Sequence, residues 1–182
     1  MKKFLILLLP LVVIFGCTRD TTDDENVVLK RAKVPIPLKG VLCMTEKEGV
    51  DRLPVFFPGT EIPVPGVTLS SEAWLAGHMT FVGNFREESA MTGLVAYLDM
   101  DAYAEGRIVL TADYVGRIYA ANGDYFDFFS PIVIEVIDDV KHITGTVSIT
   151  SGTGKFENVT GDSYLSGIVP CWDVVGEWVF PR

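Results

Sequence analysis

The sequence has few basic residues and few histidines, and each shortage excludes a class of function. Its 182 residues carry 15 Lys and Arg against 24 Asp and Glu, a formal net charge of −9. Nucleic acids and anionic lipid surfaces repel so acidic a chain. The only two histidines, His78 and His142, are too few for a multi-histidine metal site. We therefore expect no nucleic-acid partner, no metal and no cofactor.

Long apolar runs are also scarce, and the run at residues 4–15 is too short to cross a membrane as a helix, which needs about 20 apolar residues. Lys2 and Lys3 precede it, and Gly16 and Cys17 follow, an order typical of a bacterial secretory signal. Residues 14–17, Ile-Phe-Gly-Cys, resemble the lipobox of bacterial lipoproteins. The resemblance implies removal of residues 1–16 and lipidation of Cys17. The alternative is an ordinary cleaved signal peptide in which Cys17 is incidental.

The signal divides the chain into a signal peptide (1–16), a lipidated Cys17 with an acidic tether (17–35) and one folded domain (36–182). Residues 18–26 are polar and acidic and contain no apolar side chain, so we expect them to be disordered. They are either a plain spacer or a sorting signal for display on the cell surface. We expect the protein in the bacterial cell envelope, held on the outer membrane through its acyl chains.

From residue 36 onward, short apolar segments separated by turn residues predict an all-β domain. Strands at such short spacing favour a barrel or a sandwich, and we expect one small antiparallel barrel of about eight strands. Residues 51–66 carry four prolines and are predicted to form an irregular excursion or an edge segment. The predicted strands span residues 38–45, 69–85, 90–100, 106–112, 117–120, 125–129, 132–137, 143–150, 161–169 and 176–180.

Alternation along two of these strands predicts an apolar interior and candidate ligand contacts. Met79, Phe81 and Phe85 share one face of the strand at 69–85. The strand at 132–137 is apolar on nearly both sides and is interrupted by Glu135. Glu135 has two interpretations: a carboxylate with a raised pKa that orients a ligand inside the barrel, or an ordinary solvent-facing side chain.

Three motifs, at residues 77–85, 120–124 and 152–161, follow one another in a characteristic order. They read Gly-His-Met-Thr-Phe-Val-Gly-Asn-Phe, Ala-Ala-Asn-Gly-Asp and Gly-Thr-Gly-Lys-Phe-Glu-Asn-Val-Thr-Gly. The series resembles the allene oxide cyclase-like barrel proteins, which are related in shape to dirigent proteins and calycins. The resemblance implies a small β-barrel in which Phe156 closes one end. The chain departs from the family pattern at Phe81, where members commonly carry a second histidine.

Cysteine parity predicts a disulfide. With Cys17 lipidated, Cys43 and Cys171 remain as an even pair in an oxidising compartment. Cys43 lies in the first predicted strand and Cys171 close to the last, and closing a barrel brings those strands together. The alternative is two buried, reduced cysteines that pack as small hydrophobes.

Four acidic residues near one turn, Asp99, Asp101, Glu105 and Asp113, form either a solvated acidic rim or a calcium site.

The sequence contains no Gly-x-Ser-x-Gly nucleophile motif. We therefore favour an envelope lipoprotein whose barrel binds a small apolar ligand or presents a binding surface, and we expect no catalysis. The alternatives are an isomerase or cyclase of the allene oxide cyclase type, and a filled barrel with a structural or interaction role. Oligomerisation stays open.

Overall fold

Eight strands close into a ring in the computed structural model, which describes residues 35–181. The elements are β1 (Ile36–Glu46), β2 (Arg52–Phe56), β3 (Pro63–Ser70), β4 (Glu72–Met79), β5 (Gly83–Asn84), β6 (Ala90–Leu98), α1 (Met100–Ala104), β7 (Ile108–Tyr119), β8 (Tyr125–Ile137), β9 (Val140–Gly152), a 3₁₀ turn (Gly154–Phe156), β10 (Thr160–Ile168) and β11 (Cys171–Val179).

The ring runs β6-β7-β8-β9-β10-β11-β1-β4 and returns from β4 to β6. Every neighbouring pair in it is antiparallel. Buried side chains alternate with more exposed ones along β10 and β11, so one face of each strand points into the ring. The predicted all-β, barrel-like fold of about eight strands is thus confirmed.

The proline-rich segment forms an edge of the sheet, as predicted. Strands β2 and β3 pair with each other outside the ring, and β2 touches β6 through a parallel pairing of Phe56 with Tyr97. Strand β3 is the outermost strand on this side, and Pro63 and Pro65 remove backbone donors from it. An edge interrupted in this way is a poor template for pairing with another strand.

The predicted strand at 69–85 breaks into three, which overturns part of the face assignment. A bend at Ser71 separates β3 from β4, and a turn at residues 80–82 folds β5 back onto β4. Thr80 anchors the turn because its hydroxyl donates to the carbonyl oxygen of Lys39 at 2.8 Å. Phe81 lies within this turn, where it has a φ of 66° and is 48% exposed. The prediction that it shares an inner face with Met79 is therefore wrong.

Other predicted boundaries shift for identifiable reasons. The strands predicted at 106–112 and 117–120 form one continuous strand, β7, of 12 residues. Those predicted at 125–129 and 132–137 likewise form β8, of 13 residues. The strand predicted at 90–100 stops at Leu98 because the Asp99 carboxylate caps α1, accepting from the backbone N–H groups of Asp101 and Ala102 at 3.0 Å.

Candidate functional site

Aromatic side chains close one end of the ring, which we call the motif end. Phe126, Phe156 and Trp178 are fully buried there. The ring of Phe126 meets Phe156 and Trp178 edge to face, at centroid distances of 5.3 and 5.1 Å. Trp178 Nε1 donates to Ser163 Oγ at 2.9 Å, which satisfies its buried polar atom. Phe156 thus takes the place that the family resemblance implied.

The interior beyond these rings is narrow. Within residues 35–181, a cavity of about 20 Å³ lies next to one of about 40 Å³, and both are lined by Met91, Tyr114, Ile132, Ile143 and Trp172. A site for a small organic molecule spans roughly 300–1,000 Å³. Each of these cavities has room for about one or two water molecules. Side chains therefore fill most of the space between the strands.

Buried polar side chains line these cavities, among them Tyr114, Ser130 and Trp172. The Tyr114 hydroxyl donates to the Ser70 carbonyl oxygen at 3.0 Å, and Ser130 Oγ donates to the Thr146 carbonyl oxygen at 2.7 Å. Burial raises the pKa of Tyr114 to about 12, so the phenol stays neutral at physiological pH. Trp172 lies nine-tenths buried or more, and its Nε1 has no hydrogen-bond partner among the described residues. That indole N–H is the interior's free donor.

The structure separates the four residues predicted to contact a ligand. Met79 is buried on the inner face of β4, and Phe85 packs half-buried against the core. Phe81 points away from the interior, as described above. Glu135 lies on the outer face of β8, where Arg107 Nη1 donates to its Oε1 at 3.1 Å. The solvent-facing interpretation of Glu135 is therefore correct, and the ligand-orienting one is wrong.

The predicted disulfide is present. Cys43 on β1 lies directly opposite Cys171 on β11, with 4.0 Å between their Cα atoms. The bond closes a loop whose ends are 128 residues apart. In the chain-entropy model a loop of that length stabilises the fold by about 4–5 kcal/mol. It fastens the first strand of the ring to the last. Cys17 lies outside the described residues, and so does most of the predicted tether.

The three sequence motifs meet at the motif end. Asp124 of the second motif accepts from the backbone N–H of Lys155 in the third, at 3.2 Å. Its carboxylate covers Gly154 so closely that a Cβ on that glycine would lie 2.1 Å from Asp124 Oδ1. Lys155 Nζ in turn donates to the carbonyl oxygen of Phe81 in the first motif. The motifs thus build and close one end of the ring together.

A groove opens on the outer wall at the opposite end, between the β2–β3 hairpin, α1 and the start of β7. We call it the α1 groove. Its volume is about 300 Å³, and a shallower depression of about 600 Å³ continues from it past Phe57 and Leu98. Tyr103, at its rim, is 56% exposed. The groove is lined by Phe57, Val64, Pro65, Val67, Leu98, Tyr103 and Ile108.

Acidic residues lie in the chain segments that form the α1 groove, and two of them, Asp99 and Asp101, line the depression beside it. The segments that form most of it, residues 53–70 and 94–106, contain Glu61, Asp99, Asp101 and Glu105 and no Lys or Arg. The nearest following cation, Arg107, donates to Glu105 at 2.8 Å and also pairs with Glu135. The sequence analysis identified the proline-rich segment and the acidic residues Asp99, Asp101 and Glu105 separately, and it did not single out Glu61. It missed the groove because pairing of β2 with β6 is what brings them together.

The remaining polar clusters are satisfied within themselves. Arg117 holds Asp127 through two hydrogen bonds, of 2.7 and 3.0 Å, and thereby lowers the pKa of that carboxyl group. Among residues 35–181, no three histidine, cysteine or acidic side chains gather in a way that could hold a metal ion. In the same range no helix is long and apolar enough to cross a membrane.

Comparison of the chain with family models, with curated proteins and with solved structures found no match in any of the three. The resemblance to allene oxide cyclase-like barrels therefore stays a prediction.

Proposed function

We propose that this protein is a lipid-anchored protein of the bacterial cell envelope whose filled barrel presents a binding surface, without catalysing a reaction. The observation that carries the proposal is the packed interior of the ring. Its cavities of about 20 and about 40 Å³ are far below the roughly 300 Å³ at which small-molecule sites begin. Rings of about eight strands are only just wide enough for their own side chains.

The chemistry of the interior supports binding over catalysis. Tyr114 is the buried ionisable group there, and a pKa of about 12 leaves it protonated at neutral pH, so it is a poor general base. Glu46 and Lys141 line the larger cavity, but both are exposed at its rim.

A small apolar ligand inside the ring is the second candidate, and Trp172 is the observation that favours it. Its Nε1 has no partner among residues 35–181 and offers one hydrogen bond to a ligand oxygen. Met91 lines both cavities and Met44 lines the larger one, and methionine side chains are flexible enough to repack around a ligand.

Native mass spectrometry of the full chain, purified from the envelope, tests the two candidates. We expect the native mass to equal the denatured mass, or a clean multiple of it. A reproducible excess mass that is lost on unfolding would overturn the filled-barrel proposal. Trp172→Phe, which removes the N–H and keeps an aromatic ring, would abolish such an excess if Trp172 holds the ligand. Trp178→Phe is the matched control, because Trp178 Nε1 is already bonded to Ser163.

A further inference from the structure

We propose that the α1 groove binds a peptide segment of a partner protein in which apolar side chains are flanked by Lys or Arg. This inference rests on the proposed function, because it requires that the protein acts through its outer surface. It adds the place on that surface and the chemistry of the partner.

The shape of the groove suits side chains. Its volume of about 300 Å³ is comparable to the lower limit of sites that bury small organic molecules. The floor and walls are apolar or aromatic, from Phe57 and Val67 on the hairpin to Leu98 and Ile108 at the strand ends. Ile108 and Tyr103 expose large apolar surfaces to water. An apolar partner that covered them would remove this surface from water, which stabilises the complex.

The edge beside the groove favours side-chain recognition over strand addition. Strand β3 is the outermost strand of the sheet here, and Pro63 and Pro65 leave two of its backbone positions without a donor. A partner strand could not form a continuous ladder on such an edge. The partner therefore inserts side chains into the groove.

The negative charge near the α1 groove distinguishes among the molecules that could bind in it. Asp99 and Asp101 line the depression that continues from the groove, and Glu61 and Glu105 lie in the chain segments that form it. The neighbouring cation, Arg107, is already paired with Glu105 and Glu135. Flanking cations on a peptide would be attracted to this rim, and attraction of this kind sets partner choice and association rate. A second copy of this chain would bring a net charge of −9 and the same acidic rim, so it would be repelled. An anionic lipid surface is disfavoured for the same reason.

Fluorescence anisotropy on the full chain tests the proposal with three labelled peptides. The probe is Lys-Lys-Leu-Ser-Trp-Leu-Lys-Lys, and the comparisons replace its lysines with glutamates or its Leu and Trp residues with serines. We expect saturable binding of the probe alone, weakened in high salt. Equal binding of the glutamate peptide or of the serine peptide would overturn the proposal, and so would no binding of the probe.

Surface variants locate the site without touching the core. Tyr103→Ser and Asp101→Lys, both at exposed positions, should each weaken probe binding about tenfold. The matched controls are Tyr164→Ser and Asp173→Lys, which change exposed residues on the outer wall of β10 and β11 and should leave binding unchanged. Equal effects of groove and control variants would overturn the assignment of the groove.

Sedimentation velocity tests the remaining alternative, in which a second copy of this chain binds in the α1 groove. A concentration-dependent dimer of the full chain that Tyr103→Ser abolishes would assign the groove to a second copy and overturn the peptide proposal. The outcome of the native mass measurement is independent of these results. If the probe does not bind and the native mass shows no ligand, the α1 groove proposal fails and the filled-barrel proposal stands. If the native mass shows a ligand in the interior, the proposed function itself fails.

Discussion

Single buried side chains decide what the interior of the ring can do. Tyr114 reaches the Ser70 carbonyl oxygen, and its surroundings keep the phenol neutral. Trp178 and Trp172 both carry an indole N–H inside the ring, yet only the first has a partner among the described residues. Among the described residues, the indole N–H of Trp172 is thus an unpartnered donor in a largely apolar interior, where it can donate to a water molecule or to a small acceptor.

Tyr114→Phe should change the pH dependence of stability. The phenol ionises near pH 10 in an unfolded chain and near pH 12 in the fold, so the folded pKa is raised. The stability that the buried neutral phenol contributes to the fold is fully present below pH 10 and is lost as the pH rises through 12. Between pH 7 and pH 11 the wild-type free energy of unfolding should fall by about 1 kcal/mol more than that of the variant.

Urea unfolding at the two pH values measures this difference, with Tyr164→Phe as the exposed control. At pH 7 the variant should itself lose about 1 kcal/mol with the hydrogen bond to Ser70. An identical fall for wild type and Tyr114→Phe would show that burial does not raise this pKa.

At the scale of elements, close approach of β4 to β1 depends on a glycine of the first motif. Gly77 lies opposite Leu42, and a Cβ on it would lie 2.0 Å from the Val41 carbonyl oxygen. Its φ of +140° is also one that side chains rarely adopt. Gly83, in the same motif, has a φ of +80° but open space where a Cβ would be. The two positions share the conformational requirement and differ in packing.

Gly77→Ala should therefore destabilise the protein more than Gly83→Ala. We expect Gly83→Ala to cost about 1–2 kcal/mol from the backbone conformation alone. Gly77→Ala should cost at least about 3 kcal/mol, because strands β1 and β4 must also separate. Chemical unfolding of both variants measures the costs. Equal losses would mean that β4 shifts away from β1 without penalty.

At the scale of the whole molecule, closure joins the beginning of the described chain to its end. Strand β1 lies between β11 and β4, and the disulfide fastens it to β11. The motif end and the α1 groove lie at opposite ends of the ring. The part of the molecule built by the three motifs is thus remote from the surface to which we assign binding.

Anchoring is also a property of the whole chain, and Cys17→Ser tests it. The proposal predicts that wild type is found in the membrane fraction and that its denatured mass exceeds that of residues 17–182 by the mass of acyl chains. Each buried CH₂ contributes about 0.8 kcal/mol, so several acyl chains on Cys17 would hold the protein firmly on a bilayer. Cys17→Ser should lose the added acyl mass, and Thr18→Ser should keep it. An added mass that is unchanged in Cys17→Ser would exclude lipid anchoring at this residue.

The sequence by itself predicted the all-β class and the pairing of Cys43 with Cys171, and it limited the proline-rich segment to an irregular excursion or an edge. Alternation and proline chemistry are local signals, whereas the cysteine pairing also assumed that the first and last strands meet, as they do in the structure. Only the tertiary structure decided which way Glu135 and Phe81 point and that the α1 groove exists. A strand that is apolar on both faces does not specify its inner one, and a turn of three residues reverses the alternation beyond it. The groove needs elements about 40 residues apart to meet, which follows from the pairing of Phe56 with Tyr97 and from no single segment.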